Sequence, residues 1–141
     1  MAINESISIT ASADAIFSVY EDVANWPKWD KEVISSMLNG PFEVGTTGEI
    51  VPNGEPRSAI TLTEATKDKS FTVECKLPLC KMHFIHELTE VDDATTVVNK
   101  AVFTGLLAPL FKRLIEPKLK GGISSSLENL KRYIESGEHK Q

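Results

Sequence analysis

Two residues in this 141-residue chain stand out for the chemistry they could do together, His86 and Asn99. Histidine titrates at about 6.5, close enough to neutral pH for proton transfer, and asparagine offers both a donor and an acceptor. Each sits in a run that alternates as a half-buried strand does. In Lys81–Leu88 the more apolar face is Met82, Phe84, His86 and Leu88; in Thr96–Phe103 it is Val97, Asn99, Ala101 and Phe103, with Lys100 turned to water. Joining the runs through the Asp92-Asp93 turn predicts that Leu88 faces Val97, His86 faces Asn99, Phe84 faces Ala101 and Met82 faces Phe103. Two polar side chains then share an otherwise apolar wall. Three readings fit that pair: a mutually satisfied structural pair, a ligand-orienting pair, or a catalytic one with His86 as general acid-base and Asn99 as its partner. Left unpaired, each buried polar group costs about 1–3 kcal/mol, so the pair must bond each other, water or a ligand.

Other chemistries find no support. His83 and His86 are three apart on a strand, so they point to opposite faces and cannot share a metal. Cys75 and Cys80 lack the histidine pair that would complete a zinc site and are expected to face each other, reduced, across a hairpin mouth. Gly121-Gly122 follows no strand and is no phosphate loop, and no Gly-x-Ser-x-Gly elbow appears. No metal and no cofactor is expected. A net charge of −5 and a pI near 5.2 argue against a nucleic-acid surface. The basic group Lys112, Arg113, Lys118 and Lys120 reads as a solvated helix face. No run approaches the roughly 20 apolar residues of a membrane span. The N-terminus lacks the basic and apolar regions of a signal peptide, and a cytoplasmic location follows as the expectation.

The elements that position the pair follow from changes of period. Ile3–Thr10 alternates as a strand; Ser12–Tyr20 shifts to helical spacing behind a Ser12 cap. Asn25-Trp-Pro-Lys-Trp29 is a corner, because Pro27 biases Trp26 away from helix. One of its tryptophans is expected in the core and the other partly exposed. Six further strands are predicted at 33–38, 48–51, 58–64, 71–76, 81–89 and 95–104, each separated by turn residues. A long helix then runs from near Pro109 to near Gly137. Its apolar stripe changes phase across Pro117, which predicts a bend there. Gly121, Gly122 and Ser124–Ser126 make a small-residue stretch, read either as room for a ligand or as close packing against bulky strand residues. A strand run closed by one helix is an α+β layout, a single domain over 1–141.

These segments resemble the helix-grip fold of the START and birch-pollen-allergen (SRPBCC) superfamily, in its polyketide cyclase/dehydrase-like branch. The residues that carry the likeness are 7–17, Asn25–Trp29, 95–105, Leu107–Phe111, Leu127 and Leu130. The resemblance implies a seven-stranded curved antiparallel sheet around a long C-terminal helix, with two short helices after the first strand. It also implies an apolar cavity, in a family of carriers, sensors and enzymes. The expected site is Phe84, His86, Asn99, Ala101 and Phe103 on the wall, facing Gly122, Ile123 and Ser126 on the helix. Its expected occupant is a small apolar or aromatic, lipid- or polyketide-like ligand. The alternatives are a cyclase or dehydratase using His86 and Asn99, and a co-chaperone-like interaction domain.

Overall fold

In a computed structural model, which describes residues 2–140, seven strands form one antiparallel sheet in the order β1-β7-β6-β5-β4-β3-β2. The strands are β1 (Ala2–Ile9), β2 (Val33–Leu38), β3 (Thr47–Pro52), β4 (Ser58–Thr66), β5 (Ser70–Leu77), β6 (Cys80–Val91) and β7 (Ala94–Thr104). Between β1 and β2 lie α1 (Ala13–Glu21), a 3-10 turn (Val23–Asn25) and α2 (Trp26–Trp29). β1 and β2 are the two edges of the sheet, so this short helical segment spans its open side. The long helix α3 covers Ala108–Glu135. At about 1.5 Å per residue it is roughly 40 Å long.

The sequence dictates much of this directly. Ser12 caps α1, its Oγ accepting from Ala15 N at 3.2 Å. Glu90 of β6 accepts from Ala13 N at 2.6 Å, placing a carboxylate on the positive end of the helix and tying α1 to the sheet. The Asp92-Asp93 turn, with Asp92 at φ 57°, gives the register anticipated from the alternation: Leu88 with Val97, His86 with Asn99, Phe84 with Ala101 and Met82 with Phe103.

Two local expectations are corrected. Trp26 and Trp29 are both buried, each 8% exposed, because α2 is a helical turn that points both indoles inward. Trp26 Nε1 donates to the Tyr20 carbonyl at 3.0 Å. The cysteines do not face each other: Cys80 pairs with Leu77, and Cys75 with Met82, because the turn between β5 and β6 is only Pro78-Leu79. The hydrogen-bonded helix α3 continues past Pro117 to Glu135.

α3 grips one side of the sheet. It packs along β1 and β7, and its C-terminal half is pinned to β1: Lys131 Nζ donates to Ser8 O at 2.6 Å, and Glu135 accepts from Thr10 N at 2.9 Å. Ile123, Leu127, Leu130 and Ile134 enter the core with Ile9, Ile16, Phe17 and Val97.

Candidate functional site

Four buried residues of β7 form the back of the interior: Val97, Asn99, Ala101 and Phe103. Beside them β6 contributes Met82, Phe84, His86 and Leu88, as its alternation requires. Phe84 and His86 point inward yet keep partial exposure, unlike their buried neighbours Ala101 and Asn99. Phe84, His86, Asn99, Ala101 and Phe103 therefore do share one wall.

His86 is embedded in aromatic rings. It stacks on Phe71 of β5 with centroids 4.0 Å apart and planes 5° from parallel, and Tyr20 of α1 meets it edge-on at 5.3 Å. Phe71 also contacts Phe17, Phe42 and Trp26. Burial pushes the His86 pKa down to about 4, against weaker opposing effects of the Phe71 and Phe84 backbones and Glu64. The imidazole is thus neutral at physiological pH. Tyr20 is buried, and desolvation holds its phenol well above the ordinary range, with the neighbouring Asn99 amide opposing the rise and Asp30 adding to it. Tyr20 is accordingly a permanent O–H donor.

The site now has three polar members, Tyr20, His86 and Asn99. Two of their atoms, His86 Nδ1 and Asn99 Oδ1, are enclosed without a hydrogen-bond partner among the described residues. Pairing in register does not satisfy them. Cross-strand neighbours bring the side chains side by side, but each keeps one polar atom free.

The helical residues lie differently from the expectation. Ile123 is buried in the core, but a Cβ added at Gly122 would meet only Glu32, at 3.9 Å. The Ser126 hydroxyl donates to Asp30 Oδ2 at 2.6 Å, and Asn129 Nδ2 reaches Asp30 Oδ1 at 3.5 Å. Gly122 and Ser126 thus face the α2–β2 corner. The reason is that α3 lies along β1 and β7, which rotates its small-residue stretch toward the buried Asp30 carboxylate.

Tyr20 and Phe71 were not among the residues singled out from the sequence. Tyr20 lies at helical spacing from Ile16, a signal for burial that says nothing of which strand it meets. Phe71 opens a strand whose alternation marks it as inward, but its stacking on His86 depends on the β5–β6 pairing. Among the other reactive groups, burial pushes the half-buried Cys75 thiol up to about 11, with Glu74 adding to the effect. Among the described residues, no three His, Cys, Asp or Glu side chains are grouped to hold a metal ion.

A family model described as polyketide cyclase / dehydrase and lipid transport matches residues 1–135. The chain belongs to this family. Solved structures share the fold of this chain. Norcoclaurine synthase from Thalictrum flavum, solved with dopamine and hydroxybenzaldehyde, has a TM-score of 0.75 at 15% identity, covering 96% of this chain and 87% of its own. A START superfamily protein from Mycobacterium smegmatis gives 0.70 at 14% identity, covering 94% and 98%. DynU16, from the dynemicin biosynthetic locus, gives 0.76 at 16% identity; the aligned region covers 96% of this chain but only 48% of that protein. No curated protein matches this sequence. At such identities the structural likeness establishes the fold, and the seven-stranded helix-grip architecture is that fold. No helix among the described residues is long and apolar enough to cross a membrane.

Proposed function

We propose that this protein binds a small apolar or aromatic molecule, lipid- or polyketide-like, between the sheet and α3. Asn99, His86 and Tyr20 hold the ligand's polar end. The observation that carries this reading is the pair of enclosed, unpartnered atoms, Asn99 Oδ1 and His86 Nδ1, on an apolar wall. A ligand hydroxyl or amide placed there removes a penalty of about 1–3 kcal/mol per atom. The partial exposure of Phe84, Cys75, Ile50, Phe111, Ile115 and Leu119, all packed against the core, supports a hollow that solvent or a ligand reaches. Convergent polar groups in an apolar interior are the usual mark of a small-molecule site. The norcoclaurine synthase structure holds aromatic molecules of this chemical class.

Electrostatics favours holding a ligand over transforming it. With a pKa of about 4, His86 is a weak base at neutral pH, poorly matched to proton abstraction. The raised Cys75 pKa keeps that thiol protonated and unreactive. Neutral imidazole, phenol and amide groups suit recognition of a carbonyl or hydroxyl.

The test is native mass spectrometry of the purified protein for co-purifying small molecules, with titration by the amphipathic dye anilinonaphthalene sulfonate. Saturable dye binding that Cys75→Phe abolishes, with circular dichroism unchanged, supports the interior site. Equal binding by parent and Cys75→Phe rejects it. His86→Ala separates the cyclase or dehydratase alternative: turnover lost at unchanged affinity identifies an enzyme.

A further inference from the structure

Eight large apolar side chains are exposed among the described residues, and four of them lie in two joined segments. Leu79 tops the β5–β6 turn, 64% exposed; Leu106 just before α3, and Leu110 and Leu114 in its first turns, are 79%, 50% and 68% exposed. The two segments are physically joined. Leu107 N donates to the Leu79 carbonyl at 3.0 Å, and an open cleft of about 510 Å³ between them is lined by Lys76, Leu77, Leu79, Lys81, Thr104 and Leu106 among others. Gly105 makes the junction possible: its φ is 108°, and a Cβ there would stand 2.7 Å from Leu79 O.

Leu79 itself has φ 55°, the left-handed region that suits glycine or asparagine. An exposed leucine held in a strained turn serves neither turn geometry nor the core, and such strain tends to persist where the surface has a task.

The unpaired charge at this end is basic. Residues 76–81 and 104–115 contain Lys76, Lys81, Lys112 and Arg113, with Glu74 and Glu116 just outside those stretches, in a chain of net charge −5. Lys81 lies 3.8 Å from Glu74, and Lys112 pairs with Glu116, while Lys76 and Arg113 make no ion pair among the described residues. Apolar side chains at the tip with cations around them match an anionic lipid surface, where leucines enter the headgroup–acyl boundary and lysines meet the lipid phosphates. A second copy of the chain is a poorer match, since like-charged ends would oppose each other.

We propose that this end, formed by the Pro78-Leu79 turn and the first turns of α3, docks on anionic membrane surfaces. The docking is peripheral and reversible, and it stands independently of what the interior binds.

The test is co-sedimentation of the full chain with vesicles of phosphatidylcholine alone and of phosphatidylcholine mixed with phosphatidylglycerol. Binding is expected to the mixed vesicles only, and to weaken as salt rises. Lys76→Glu and Arg113→Glu should each lower partitioning by about five-fold or more. Leu79→Asp and Leu110→Asp should each lower it by about ten-fold or more. Both leucine variants are expected to fold: aspartate tolerates a positive φ better than leucine, and an acid in the first turn of α3 suits the helix dipole. Equal binding to both vesicle types, no binding, or Leu→Asp variants that bind as the parent does would overturn the proposal. So would a dimer on gel filtration that Leu110→Asp dissociates in a protein with no vesicle affinity.

Discussion

His86 lies flat on Phe71, 4.0 Å between centroids, with its Nδ1 enclosed and unpartnered. The stack excludes water from the imidazole on one face, and the resulting desolvation makes the protonated ring costly in the folded state.

That cost predicts an acid-sensitive fold. The folded pKa of about 4 lies below the reference value of 6.5, so the unfolded chain binds the extra proton first. Stability is full above about pH 6.5 and falls as pH drops toward 4, by up to about 3 kcal/mol. Urea midpoints at pH 7, 5 and 4 should show that slope in the parent and not in His86→Leu. Glu135, whose carboxylate is held low chiefly by the Thr10 backbone N–H, adds the same slope to both proteins and cancels in the difference.

Ser126→Ala removes the only hydroxyl donating to Asp30 Oδ2 among the described residues. With Asp30 only 6% exposed, the loss should cost about 1–3 kcal/mol, read as a lower urea midpoint at unchanged m-value. Ser126→Thr, which keeps the hydroxyl, should recover part of it. An unchanged Ser126→Ala midpoint would show that water replaces the serine.

Tyr20→Phe keeps the ring that meets His86, Phe71 and Trp29 and deletes the buried hydroxyl near Asn99. Stability should change by about 1 kcal/mol or less. Affinity for a hydroxyl- or carbonyl-bearing aromatic probe should fall several-fold, while affinity for its purely hydrocarbon analogue stays constant. Isothermal titration of the two probes checks this; parallel losses would place Tyr20 outside the polar end of the site.

Pro117→Ala should stabilise the protein. α3 continues through Pro117, where proline lacks an N–H to donate to the Arg113 carbonyl. The alanine restores that bond, offset in part by the freer unfolded chain, for a net gain of about 1–2 kcal/mol in thermal or urea denaturation. A destabilised variant would mean that neighbouring residues pack specifically on the ring.

The wall of the site was legible because it depends on local rules. Lys100 facing water, the alternation of β6 and β7 and a two-residue Asp92-Asp93 turn together fix His86 opposite Asn99. The helix-side residues were not, because a helix's rotation about its axis is set by what it packs against. For α3 those contacts are Ser8 of β1 and Thr10 just after it, more than a hundred residues earlier, and the buried Asp30. Asp30 follows Trp29 in a polar-looking corner, and nothing local marks it as buried. Likewise Tyr20 and Phe71 are recognisable as core residues, but their meeting at His86 is a property of three elements together.

The pairing of the first strand with the last has a consequence for how the chain acquires its structure. Ile3 finds Ala101 and Ile9 finds Thr95, and the C-terminal half of α3 then closes over β1. During synthesis, β1 emerges first and waits for nearly the whole chain before it has a partner, with Ile3, Ile7 and Ile9 exposed on an unpaired edge. Such distant pairings slow folding, and an unpaired apolar strand is a point of misassociation. Polar residues between those isoleucines, Asn4, Glu5, Ser6 and Ser8, reduce that hazard, and a ribosome-bound chain ending before β7 should be protease-sensitive throughout β1.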